Sequence, residues 1–152
     1  MFRGVAKLAL DSKGRLAIPA RHRDLLLAHC GGKLVLTADP HHCLLLYPLP
    51  ESEPIQTKLM GLSSFNQHTR QLQRLLVGHA NDVELDSAGR ILVPPALRDY
   101  ARLDKHVALV GQNNRFELWS EKEWDQQWQG EDQALAAFHD GDMPPELHGF
   151  SL

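Results

Sequence analysis

One phrase occurs twice in this chain. The fifteen residues Leu10-Asp-Ser-Lys-Gly-Arg-Leu-Ala-Ile-Pro-Ala-Arg-His-Arg-Asp24 recur 75 positions later as Leu85-Asp-Ser-Ala-Gly-Arg-Ile-Leu-Val-Pro-Pro-Ala-Leu-Arg-Asp99, with eight positions identical. Most of the identical residues shape backbone or carry charge. Such a duplication constrains the fold more than any composition does. Each copy must build the same supersecondary unit, and units this small must bury surface against one another.

The phrase reads as strand, turn, strand and helix. Val5–Leu10 and Val83–Leu85 alternate as strands. Asp-Ser-x-Gly then supplies a turn, with Gly14 and Gly89 free to take positive φ. Leu16–Ile18 and Ile91–Val93 return as short strands, which Pro19 and Pro94 end before helices over 20–29 and 95–102. Leu25, Leu26, Leu97 and Tyr100 are expected to face inward. The echo continues. Lys33–Thr37 matches His106–Val110, and Leu44–Tyr47 matches Phe116–Trp119. A half of about 45 residues rarely folds alone, so the halves are expected to share one core.

The expected fold class is therefore α+β. Two tandem β-hairpin/helix repeats would pack as an intramolecular pseudo-dimer with peripheral helices. The expected boundaries are 1–47 for the first repeat, 48–80 for a helical spacer, 81–124 for the second repeat and 125–152 for an acidic C-terminal tail. In the spacer, Ile55, Leu59 and Leu62 mark one amphipathic helix over Glu51–Leu62. Asn66 caps a second helix, with Leu72, Leu75 and Leu76 on one face. Residues 121–128 suggest a helix with Trp124 and Trp128 one turn apart, and residues 130–152 suggest a poorly ordered tail.

Net charge is −3, which argues against a uniformly basic nucleic-acid binder. The distribution of that charge points the other way. Residues 1–23 carry a net +5 and residues 116–152 a net −8. Screening confines phosphate attraction to the local patch, within about 8 Å at physiological salt. No apolar run suits a membrane span and no signal-peptide core opens the chain, since Lys7, Asp11 and Lys13 interrupt it. Cys30 and Cys43 are too few for a disulfide scaffold, which points to a reducing cytoplasm.

Arg15 is the leading candidate for contact with DNA. A guanidinium matches the paired acceptors of a guanine major-groove edge and also clamps phosphate. Lys13 projects from the same turn, and Arg3, Lys7, Arg21 and Arg23 would extend the surface. Asp11, Gly14, Asp86, Gly89 and Arg90 suit a structural or secondary role, because an Asp and an Arg four apart across a turn can simply hold it. The copies differ where charge is concerned. Lys13 becomes Ala88, Arg21 becomes Ala96 and His22 becomes Leu97. The first repeat is thus expected to meet DNA, while the second serves as scaffold or subunit contact. The cluster His29-Cys30 and His41-His42-Cys43 lacks the paired spacings of a zinc site. No metal, no cofactor, no catalytic residue and no small-molecule substrate is expected.

The duplicated Asp-x-x-x-Arg motif, Asp11…Arg15 and Asp86…Arg90, resembles the MraZ family. More broadly it resembles the AbrB/SpoVT class of swapped-hairpin DNA-binding domains, which includes MazE-like antitoxins, and this implies two tandem AbrB-like repeats forming an intramolecular pseudo-dimeric β-barrel. The resemblance covers roughly residues 1–128. It implies a bacterial transcriptional regulator, often an autorepressor, that binds G-rich direct repeats of double-stranded DNA upstream of the division and cell-wall gene cluster. It also implies a homo-oligomeric ring and a cytoplasmic, nucleoid-associated location. Two other readings compete. One is an antitoxin-type module whose acidic tail, with Trp124, Trp128 and Phe138, neutralises a protein partner. The other is a small hydrolase using Asp86, Arg90 and a histidine, for which no nucleophile–base constellation is visible.

Overall fold

The computed structural model describes residues 1–149, which divide into two compact units, one of residues 1–121 and one that begins at Lys122. In the first unit the strands are β1 (Phe2–Ala9), β2 (Arg15–Ala17), β3 (Lys33–Ala38), β4 (Leu44–Pro48), β5 (Asn81–Glu84), β6 (Arg90–Leu92), β7 (His106–Asn113) and β8 (Phe116–Ser120). Its helices are α1 (Ala20–Cys30), α2 (Leu49–Met60), α3 (Gln67–Leu76) and α4 (Pro95–Tyr100). The second unit is carried by α5 (Glu121–Ala136), followed by short 3₁₀ turns. Helix thus continues through part of the segment expected to be poorly ordered. Within α5, Trp124 and Trp128 stack with ring centroids 6.2 Å apart.

The halves are built by exchange. A six-stranded antiparallel sheet runs in the order β1-β7-β8-β4-β3-β5, and β2 pairs with β6 as a separate ribbon. Strand β1 of the first repeat pairs along its whole length with β7 of the second, from Phe2 opposite Asn113 to Ala9 opposite His106. Reciprocally, β5 of the second repeat pairs with β3 of the first. A pseudo-twofold axis therefore passes between β4 and β8 and through the β2–β6 ribbon, where Leu16 lies opposite Ile91. The expected hairpin within each repeat does not form a ladder, because each first strand crosses to complete the other half. The expected barrel does not close either. β1 and β5 remain open edges of the sheet, and the ribbon does not pair with them.

One core joins the repeats. Alternate residues of the sheet, among them Phe2, Leu34, Leu36, Leu44, Leu46, Leu109, Phe116 and Leu118, meet Leu16, Ile18, Ile91, Val93, Leu26 and Leu97 from the ribbon and helices α1 and α4. In α1 the buried positions are His22 and Leu26, one turn apart, while Leu25 is 41% exposed. The sequence places Leu25 inside, but the helix faces the sheet along the 22/26 line. The sequence also makes His22 part of a DNA-facing surface. It is instead buried between Phe2 and Phe116, with ring centroids 5.8 and 5.0 Å away. Burial and the nearby Arg21 charge hold its pKa below the ordinary value.

The opposite sheet face carries the spacer helices. Asn66 caps α3 by accepting from the Thr69 amide at 3.1 Å. Gln73 donates to the Leu59 carbonyl of α2, and the Thr37 hydroxyl donates to the Leu76 carbonyl at the end of α3. Helix α2 begins two residues earlier than expected, because Pro50 fits its first turn. No helix among the described residues is long and apolar enough to cross a membrane.

Candidate nucleic-acid interface

The two motif loops are built from the same bonds. Asp11 Oδ1 accepts from the amides of Lys13 and Arg15 at 2.9 Å, and Arg15 Nε donates to Asp11 Oδ2 at 2.7 Å. In the second copy the amides of Ala88 and Arg90 donate to Asp86 Oδ1 at 2.9 Å, and Arg90 Nε donates to Asp86 Oδ2, also at 2.9 Å. Gly14 and Gly89 close the turns with φ of 80° and 74°. The amide bond from Arg15, opposed by partial desolvation and aided by its side chain, lowers the Asp11 pKa to about 2. The Arg90 amide lowers Asp86 in the same way.

These bonds leave the guanidinium ends free. Each arginine spends only Nε on its aspartate, and among the described residues neither outer nitrogen of Arg15 has a further hydrogen bond. The ribbon sets the direction. Leu16 and Ile91 are fully buried, so Arg15, Ala17, Arg90 and Leu92 share the outward face. Arg15 lies opposite Leu92, and Arg90 opposite Ala17. The tertiary structure thus places both motif arginines on one surface.

The remaining identical residues work crosswise. Arg23 of the first repeat donates to the Ile18 carbonyl and lies over Gly89, so that a Cβ there would sit 2.2 Å from its Nε. Arg98 of the second repeat donates to the Val93 carbonyl and lies over Gly14, where a Cβ would sit 2.6 Å from its guanidinium carbon. Each motif glycine is therefore required twice, by its backbone angle and by the arginine stacked on it. Between the loops, Ile18 N donates to Gly89 O and Val93 N donates to Gly14 O, both at 3.0 Å.

The sequence-derived candidates separate in space. Lys13 is exposed at the tip of the first loop, beside Arg15. Arg23 is partly buried and serves the second loop, over Gly89. Arg21 is exposed in the first turn of α1, and its guanidinium lies against Gly4 of β1. Arg3 and Lys7 lie on the face of β1 turned away from the core, and Lys7 reaches Glu121 at 3.8 Å. There they charge an open sheet edge, a placement that also discourages edge-to-edge pairing.

One basic residue is missing from the set that the sequence suggests. Leu10 N donates to the Lys105 carbonyl, which brings Lys105 of the second repeat beside the first loop. A cleft of about 500 Å³ opens there, lined by Asp11, Ser12, Gly14, Arg98, Asp104 and Lys105. The matching bond in the other half runs from Leu85 N to the carbonyl of Gly32. The first loop is thus flanked by Lys13 and Lys105, and the second by Ala88 and Gly32. No signal in the sequence could have placed Lys105, because strand pairing between repeats brings it there.

Comparison with known proteins agrees with the duplicated architecture. The family model for the MraZ protein, described as antitoxin-like, matches residues 1–75 and again 76–140. A protein of Thiobacillus denitrificans named transcriptional regulator MraZ is 57% identical over 152 residues, covering 100% of both chains. One of the same name from Methylobacillus flagellatus is 59% identical over the same span, with the same coverage. Another, from Thioalkalivibrio sulfidiphilus, is 60% identical over 124 residues, 82% of this chain and 83% of its own. These relatives are named as regulators, not as enzymes. With both repeats matched and identity at this level over the full length, the chain belongs to the MraZ family.

Proposed function

We propose that this chain is a DNA-binding transcriptional regulator that presents the β2–β6 ribbon to the major groove. The observation that carries this reading is the outward pair of aspartate-held arginines, flanked on the first-repeat side by Lys13 and Lys105. A two-stranded ribbon fits a major groove about 12 Å wide. With Nε fixed by Asp11, the outer nitrogens of Arg15 are positioned as a fork for guanine O6 and N7, so little side-chain freedom is lost on binding. Lys13 and Lys105 supply phosphate contacts around it.

The first repeat is the reading head, and Asp11, Gly14, Asp86, Gly89, Arg23 and Arg98 hold its shape. One such patch binds weakly. Several heads in a homo-oligomeric ring, set on G-rich direct repeats upstream of the division and cell-wall cluster, gain affinity through effective concentration. Binding to its own promoter would make the protein an autorepressor located at the nucleoid. The names of the relatives support regulation, and the ribbon surface supports double-stranded DNA over the antitoxin-type reading.

The test is a titration on the gene's own upstream fragment at two salt concentrations, with wild type, Arg15→Ala and Arg90→Ala. Wild type should prefer that fragment over scrambled DNA. Arg15→Ala should lose about 1–3 kcal/mol for each engaged head, the worth of one bidentate base contact. Arg90→Ala should lose less. If Arg90→Ala abolishes binding while Arg15→Ala keeps it, the assignment of the heads is wrong.

A further inference from the structure

The outward face of the ribbon carries one large apolar side chain. Leu92 is 52% exposed, although both its neighbours, Ile91 and Val93, are fully buried. Alternation therefore aims it away from the core. A single exposed leucine is ordinary, but this one has a particular neighbour. The register sets it directly opposite Arg15, the candidate guanine reader, and Cβ atoms of such cross-strand pairs stand about 4.5–5.5 Å apart. The equivalent position beside Arg90 holds Ala17. The large apolar group thus accompanies the arginine flanked by Lys13 and Lys105, and a methyl accompanies the other.

We propose that Leu92 is a specificity-determining residue that contacts the C5-methyl of a thymine next to the guanine read by Arg15. This assignment rests on the DNA-binding reading above. Thymine alone presents a methyl group in the major groove, so an apolar side chain there separates it from the other bases. Base steps of about 3.4 Å along a strand bring a neighbouring base within reach of a residue one cross-strand pair away. The occupant follows from charge. Arg15 stands opposite Leu92, Arg90 shares its strand and face, and Lys13 lies two residues before Arg15 in the turn; a surface of that kind suits the polyanionic duplex better than an apolar protein face. The reading head is then composite, with a guanidinium from the first repeat and an isobutyl group from the second.

The experiment compares the upstream fragment made with thymidine against the same fragment made with deoxyuridine, which removes only the methyl groups. Wild type and Leu92→Ala are titrated on both, and light scattering reports the oligomeric state of each. The expected result is that wild type binds the deoxyuridine fragment at least roughly fourfold more weakly, the worth of one methyl kept from water. Leu92→Ala should bind both fragments equally, at reduced affinity, with its assembly unchanged. Equal binding of both fragments by wild type overturns the assignment alone. So does a Leu92→Ala variant that keeps the wild-type discrimination, or one whose assembly falls apart. If wild type fails to prefer the thymidine fragment over scrambled DNA, the DNA-binding reading itself is overturned, and this assignment with it.

Discussion

The loop that starts at Asp11 and the loop that starts at Asp86 make the same set of bonds, with both carboxylates accepting two amides at 2.9 Å. Around those bonds the loops differ. The first has Lys13 at its tip and Lys105 at its side, while the second has Ala88 and Gly32. The comparison separates two kinds of constraint. Asp, Gly and the Arg motif positions are repeated because each half needs the same turn and the same crosswise arginine. The lysine side chains take no part in that network, so they are free to diverge, and the proposed asymmetry of DNA contact rests on that divergence.

The largest expected effect tests the shared scaffold. Leu16→Ala and Ile91→Ala remove fully buried side chains from symmetry-related positions of one core. Each should cost about 2–5 kcal/mol in urea unfolding, by lost transfer energy and the cavity left behind. The two costs should be similar. A loss confined to one of them would break the equivalence of the halves.

A smaller effect tests the charged surface. Lys13→Ala should reduce the slope of log affinity against log salt by about 1 for each engaged head, with little change in sequence preference. Ala88→Lys should leave that slope as it is. If the new lysine tightens binding as much as Lys13 does, both loops meet DNA and the proposed asymmetry fails.

The smallest expected effect concerns pH and should be alike in both loops. Both aspartates have folded pKa values below the ordinary value of 3.8, Asp11 at about 2. Both pairings therefore contribute fully above that ordinary value; Asp11's is lost as pH falls from 3.8 towards about 2, and Asp86's is lost in the same direction as pH falls below 3.8. Thermal unfolding followed down to acid pH should show this loss, and Asp11→Asn should remove the first loop's share of it. His22 adds a separate dependence. Its lowered pKa means that stability is complete above the ordinary value of 6.5 and declines as pH falls below it.

Much of the local structure was legible. Positive φ at Gly14 and Gly89, the helix starts after Pro19 and Pro94, and the Asn66 cap all appear where residue type predicts them. The motif bonds were legible as one of two alternatives, and the structure shows them formed, with Asp11 taking only Nε of Arg15. Other features were not legible. His22 looks in the sequence like a surface charge lost in the second copy, yet it is a core residue whose counterpart, Leu97, is also buried. Comparing the two copies singles out a histidine without knowing which helix face meets the sheet. Arg23 looks like part of the basic patch, and only the crossing of the repeats shows it lying over Gly89.

The division has a physical basis. Turn geometry, capping and the aspartate–arginine bond depend on groups within about four residues, so the duplicated phrase determined them by itself. The partner of a strand depends on which surface remains uncovered once each half has folded as far as it can. A half of about 45 residues cannot bury its own core. The tertiary structure decided the exchange of β1 and β5, the joining of Leu16 to Ile91, and the arrival of Lys105 and Leu92 beside the first loop.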